Sequence, residues 1–141
     1  IDRDTATIPV ELICRDIQEM DISNASIVVL NFTLQFIPVA DRDTFIKKIY
    51  AGLKPGGLLI LSEKLMFTDS RQQELQTGMH HAFKKANGYS DMEISQKRAS
   101  IENVLIPETF TQHKNRLLNS GFNNAEVWFQ YFNFASMIAL K

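Results

Sequence analysis

The chain has 141 residues, of which 45% are hydrophobic and 22% charged, with a formal net charge of −1. That balance suits one globular domain with its own core and excludes a broad basic surface for nonspecific nucleic-acid binding. Cys14 is the only cysteine, so no intrachain disulfide can form, as expected of a reducing, cytoplasmic setting. No apolar run is long enough for a membrane span, and the amino-terminal IDRDTATIPVEL does not have the layout of a signal peptide. It does not start with Met, so the chain is expected to begin partway through a longer protein.

In chain order, VELIC (residues 10–14) reads as a short strand that ends at the acidic loop RDIQEMD. SIVVLNF follows as a continuous, β-branched run of the kind buried on both faces of a parallel sheet. ADRDTFIKKIYAGL reads as a helix with Phe45, Ile46, Ile49 and Leu53 as its apolar stripe and acidic residues near its start. KPGG ends it, since Pro55 cannot continue a helix and the glycines permit a tight turn. LLILSEK is a third buried strand.

An amphipathic helix is expected from Asp69 to Lys85, and SDMEISQKRASIENV reads as another with a Ser or Asp cap. PETFTQHKNRLLNSGF is a further helix, with Pro107 at its opening and Gly121 closing it. NAEVWFQYFNFASMIALK ends the chain with two strand-like runs that suit an antiparallel pair. Without repeats or a Pro/Gly-rich linker, residues 1–141 read as part of one α/β domain whose mostly parallel sheet ends in an antiparallel strand pair.

In such sheets ligands bind beyond the carboxyl ends of the strands. Asp16 and Asn31 each follow a strand candidate, which puts both on that rim. Asn31 is the more telling, because an amide at the end of Val28, Val29 and Leu30 resists burial unless something pairs with it. Against a role in binding stands an Asn that bonds its own backbone, and for Asp16 a solvated loop carboxylate beside a core-plugging Ile17.

His80, His81 and His113 do not have the spacing of a zinc site, and adjacent helical histidines diverge by about 100°. No metal is expected; one of the adjacent pair should be packed and the other exposed. Tyr89 reads as a turn-packing aromatic. Trp128, Phe129, Tyr131, Phe132 and Phe134 read as core or subunit contact, since no basic groove accompanies them as in a base-stacking platform.

A helix running into GLKPGG and a strand, with a terminal strand pair, resembles the later half of the class I S-adenosylmethionine-dependent methyltransferase (Rossmann-like) fold. NASIVVLNFTLQF, HHAFKKANGYSDMEISQKR and FNNAEVWFQYFNFASMIALK, with LSEK and ENV, resemble the carboxy-S-adenosyl-L-methionine synthase family in particular. The family's first strand and Gly-rich loop have no counterpart in this chain; Gly56 and Gly57 precede a strand instead of opening a helix.

The resemblance implies a fold, an activity and a set of residues. Asp16 and Ile17 match positions that contact adenine: the carboxylate accepts from the exocyclic amine, and Ile17 covers the ring. Asn31 matches a cofactor-facing position, and no prolines follow it as they do in base-methylating relatives. Arg98 matches an arginine that reaches the neighbouring subunit's site and holds the carboxylate borne on the sulfonium carbon, a task suited to a planar guanidinium.

The implied reaction consumes S-adenosylmethionine and prephenate and yields carboxy-S-adenosylmethionine, phenylpyruvate and water. The ring carboxyl of prephenate leaves as carbon dioxide, which the deprotonated sulfonium methyl captures. The product serves wobble-uridine modification of tRNA by another enzyme, so no direct nucleic-acid contact, no membrane and a homodimer are implied. No general base is assigned. Two rivals remain: an ordinary methyltransferase on a small molecule or RNA, indifferent to prephenate, and an inactive dimerising fragment that no ligand stabilises.

Overall fold

The computed structural model describes residues 9–101 and 104–141. Strand β1 (Ala25–Asn31) leads through helix α1 (Val39–Gly52) into β2 (Leu53–Lys64). Helices α2 (Ser70–Ala86), α3 (Asp91–Ile101) and α4 (Phe110–Asn119) follow, then strands β3 (Asn124–Tyr131) and β4 (Phe134–Leu140). The four strands form one sheet in the order β1-β2-β4-β3. Because α1 carries the chain back across the sheet, β2 runs parallel to β1; β4 pairs antiparallel with both β2 and β3.

The described sheet is thus mixed, where a mostly parallel one was expected. Only β1 and β2 run parallel. The expected terminal antiparallel pair is present, joined by the two residues Phe132 and Asn133.

VELIC does not form a strand. Val10, Leu12 and Ile13 are exposed, and residues 10–14 enter no ladder. Apolar composition favours a strand only where a neighbour takes its N–H and C=O groups, and no described strand lies beside this segment. Asp16 therefore follows no strand; it caps a short 3-10 turn, Ile17–Glu19.

Phe45, Ile46 and Ile49 of α1 pack on Leu30, Leu59 and Leu61 of the central strands, with Leu117, Phe122 and Met137 closing the core. Each such side chain, fully buried, contributes about 1.5–3 kcal/mol by leaving water. Gly52 ends α1 where the backbone of Ile22 passes so closely that a Cβ would lie 2.2 Å from its carbonyl oxygen. Gly56, at φ 75°, lets the start of β2 turn before the regular ladder begins at Ile27 and Leu58. KPGG therefore lies within the long second strand and forms its irregular start.

Helix α2 begins at the expected place, where the Asp69 side chain accepts from the Gln72 N–H. Ser90 caps α3 through reciprocal hydrogen bonds with Glu93. Residues 102 and 103 of the expected ENV end of that helix lie outside the described residues. Helix α4 opens later than Pro107. Thr109 and Gln112 form a capping box there, while Glu108 is held in an extended bridge to Leu65. Gly121, at φ 110°, follows the end of α4 as expected. No helix among the described residues is long and apolar enough to cross a membrane.

Candidate cofactor and substrate site

Strand β1 is buried at Leu30 and exposed at its last residue, Asn31, which lies opposite Ser62 of β2. Among the described residues no hydrogen bond engages the Asn31 amide; only its backbone carbonyl accepts, from Thr33 Oγ1 at 3.3 Å. The self-capping alternative is not what the structure adopts. The amide stands open at the carboxyl end of the parallel pair β1 and β2, where an α/β sheet presents its ligand-binding rim.

The next residue is strained. Phe32 has φ 55°, a region costly for a bulky side chain by about 1–3 kcal/mol. Two contacts hold it: its N–H donates to Ser62 O at 2.8 Å, and its ring meets Phe134 edge-on at 5.6 Å. The kink ends β1 abruptly and sends the chain into the 3-10 turn Leu34–Phe36.

That turn is fixed from below by buried polar groups. Glu63, near the end of β2, accepts the Leu34 N–H at 2.9 Å and the Gln35 N–H at 3.0 Å, one on each carboxylate oxygen. Burial pushes Glu63 up to about 7, although the backbone N–H groups of Leu34, Gln35 and Thr33 and the charge of Arg42 pull the other way. The Gln35 side-chain oxygen accepts the Lys64 N–H at 3.0 Å.

Arg42, wholly buried on α1, donates to Ile37 O, Gln35 O and Ile106 O, and to Glu108 at 2.6 Å. Arg116 grips the same carboxylate with two hydrogen bonds of 2.7 Å. Although burial alone would raise it, these two arginines hold Glu108 down at about 2.

Asp16 sits in the turn as a solvent-exposed loop carboxylate. Its carboxylate is exposed but accepts from Gln18 N at 2.9 Å, while Ile17 is half-buried against the core. Lys48 of α1 pins the turn by donating to Gln18 O at 2.8 Å. Among the described residues the Ile17 N–H donates to no backbone or side chain. No hydrogen bond joins Asp16 or Ile17 to Asn31.

Arg98 is exposed in the last turn of α3. Its charge is felt on its own chain by Lys64 and His81.

His80 and His81 are both half-buried, with rings 6.1 Å apart, where one packed and one exposed was expected. His80 is half-buried with its ring 5.0 Å from Phe134, and burial pushes it down to about 4, helped by Lys84, His81 and Lys64. His81 is also lowered, first by burial and then by Lys84. His113 is buried in α4, and burial likewise brings it to about 4. No cluster of three metal-ligating side chains occurs among the described residues. Trp128, Phe129 and Tyr131 are exposed on β3 and so are not core, whereas Phe132 and Phe134 are half-buried against α2. Tyr89 is exposed instead of packed in its turn.

Glu63, Gln35, Arg42 and Lys64 did not stand out in the sequence as site residues. The available signal was a polar residue inside an apolar run, Gln35 in FTLQF and Glu63 in LILSEK. A recess lined by Ile22, Lys48, Gly52 and Pro55 lies at the opposite end of the sheet from this rim.

No protein-family model matches the chain. Carboxy-S-adenosyl-L-methionine synthase of Citrifermentans bemidjiense is 62% identical over 135 residues, covering 96% of this chain and 55% of that protein. The synthase of Geobacter metallireducens is 59% identical over 139 residues, covering 98% of this chain and 57% of that protein. The chain therefore spans little more than half the length of the curated relatives it matches.

Among solved structures, an O-methyltransferase family 2 protein from Planctomyces limnophilus superposes with a TM-score of 0.62 at 12% identity, over 90% of this chain and 33% of that one. Human N-acetylserotonin methyltransferase in complex with SAM gives 0.59 at 16% identity, over 90% of this chain and 32% of that one. The fold is that of the class I methyltransferases.

Proposed function

From a chain homologous to carboxy-S-adenosyl-L-methionine synthases along almost its whole length, and folded as class I methyltransferases are, we propose that the protein it belongs to is such a synthase. It converts S-adenosylmethionine and prephenate to carboxy-S-adenosylmethionine and phenylpyruvate, supplying the carboxymethyl donor for tRNA wobble-uridine modification in the cytoplasm. The observation that carries the reading is the identity of about 60% over nearly every residue. An ordinary methyltransferase fold alone would leave the reaction open.

The open Asn31 amide and the Ile17 N–H are groups that a nucleoside can satisfy, and the exposed Asp16 carboxylate suits an exocyclic amine. In this reading Glu63 is a positioning residue: it holds the turn after Asn31 and so fixes where the amide points. Arg98 holds the carboxylate gained by the cofactor. A closed site keeps carbon dioxide beside the sulfonium carbon, and fixed cations stabilise the new carboxylate. The exposed Trp128, Phe129 and Tyr131 on the outer strand β3 suit the contact of a homodimer in which Arg98 serves the neighbouring site. No metal enters this scheme.

The whole protein, incubated with S-adenosylmethionine and prephenate, should give an adenosyl product heavier by one carboxyl group in mass spectrometry. Recovery of only unmodified or demethylated cofactor would sink the synthase reading in favour of its methyltransferase rival. Arg98→Ala should weaken binding of the carboxylated cofactor much more than of S-adenosylmethionine; equal losses would remove Arg98 from that role.

A further inference from the structure

A row of polar side chains crosses the sheet level with Asn31. Asn31 lies opposite Ser62 of β2, and Ser62 lies opposite Ser136 of β4. Residues paired across neighbouring strands project from the same face, so these side chains share one. The next row on that face, Val29, Ile60 and Ile138, is apolar. On β3 the register slips between Val127 and Phe129, which makes Trp128 an extra residue beside Ser136. A bulge of this kind re-aims a side chain. Here it brings the indole Nε1 of Trp128 within 2.8 Å of Ser136 Oγ, although the rest of that side chain is exposed. Ser136 Oγ in turn lies 2.9 Å from Ser62 Oγ.

The chemistry of these groups sets the direction of the chain. An indole N–H only donates, so Trp128 occupies one lone pair of Ser136, whereas between two hydroxyls either can supply the proton. With Ser62 as donor, the proton of the buried Ser136 would have no acceptor among the described residues. With Ser136 as donor, the indole and Ser136 protons are both used, and the one left over belongs to Ser62, which is half-buried. Buried polar groups are ordinarily satisfied, which favours the second arrangement. It leaves a hydroxyl proton next to the open Asn31 amide, and each bond along the chain strengthens the next donor.

We propose that Ser62 is a further cofactor-binding residue, with Ser136 and Trp128 as the positioning residues that orient its hydroxyl. Ser62 donates to a hydroxyl or carboxylate oxygen of the same molecule that pairs with Asn31. That this molecule is S-adenosylmethionine rests on the function proposed above; the direction of the chain rests on the groups themselves.

The test is calorimetry of S-adenosylmethionine binding to the whole protein and its variants. Ser62→Ala should weaken binding about tenfold, the loss expected for one hydrogen bond. Ser62→Thr keeps a hydroxyl on a side chain that suits a strand and should restore most of that loss. Trp128→Phe keeps an aromatic ring on the outer strand but deletes the indole donor, and should weaken binding roughly three- to fivefold. Because Trp128 acts only through Ser62, the double variant should bind no more weakly than Ser62→Ala alone. Either single variant binding within about twofold of wild type, no rescue by Ser62→Thr, or losses that multiply in the double variant overturns the proposal. Product analysis with prephenate separates this outcome from the fate of the synthase reading. Binding that depends on Ser62 as described, without any carboxylated cofactor formed, sustains the proposal and sinks the synthase. Carboxylation by the wild type with binding indifferent to Ser62 does the reverse. A wild type that does not bind S-adenosylmethionine overturns both.

Discussion

Asn31 shows what a single side chain can disclose. An amide at the end of an apolar strand is affordable only at an edge that water or a ligand can reach, and the structure leaves it exposed with no partner among the described residues. Asn31→Ala should therefore leave the urea unfolding free energy within about 0.5 kcal/mol of wild type. In the whole protein, the same change should weaken S-adenosylmethionine about tenfold by calorimetry, the loss expected for one hydrogen bond. Glu63 is the opposite case, a carboxylate wholly inside. Its native value of about 7 lies above its ordinary 4.5, so the folded state holds the proton more tightly. Its contribution to stability is then fully present below pH 4.5 and is lost as pH rises towards 7. His80 and His113, lowered to about 4 from 6.5, act oppositely in an overlapping range and lose stability as pH falls. Only the difference between wild type and Glu63→Gln isolates the carboxylate. That difference in unfolding free energy should shift towards the variant as pH rises from 4.5 to 7; a flat difference would deny Glu63 a raised value.

Elements with their own stop and start signals were legible in the sequence. Asp69 opens α2, Gly121 follows α4, and the terminal strands pair across Phe132 and Asn133, because caps and turns are decided by residues a few positions apart. The opening of α4 was misplaced at Pro107. A proline suits a first helical turn, but the Thr109–Gln112 box satisfies the orphan N–H groups better and leaves Glu108 outside the helix. Thr109→Ala should cost about 1 kcal/mol in urea denaturation, and a change near zero would mean that tertiary packing alone sets that helix end. VELIC was misread as a strand for the complementary reason: a strand is not a local object, and its apolar residues cannot supply their own ladder.

At the scale of the molecule, the Arg42, Glu108 and Arg116 cluster joins α1 to α4 and to the segment before it. Arg42 also donates to the carbonyls of Gln35 and Ile37, so the same buried cation ties the turn after Asn31 to the segment before α4. Arg42→Met should destabilise by roughly 3–5 kcal/mol in chemical denaturation, since it leaves a buried carboxylate and three carbonyls short of partners. A loss below about 1 kcal/mol would show that water readily replaces the guanidinium. In ADRDTF, Arg42 looks like one more polar residue on a surface helix. Its partner lies 66 positions away, a separation that no periodicity encodes.

By itself the sequence determined the helices, the positions of the four paired strands and the kinship of the chain, because apolar runs, caps and long stretches of shared residues are all written locally; it did not show that β1, expected to be buried on both faces, leaves Ile27 and Val29 exposed. It also singled out Asn31 and Arg98. The three-dimensional arrangement decided what surrounds them. Parallel pairing puts Asn31 beside Ser62, antiparallel register puts Lys64 opposite Phe134, and the left-handed Phe32 turns the chain onto Glu63. Those neighbours come from strands far apart in the chain, and only the register between strands fixes which side chains share a face.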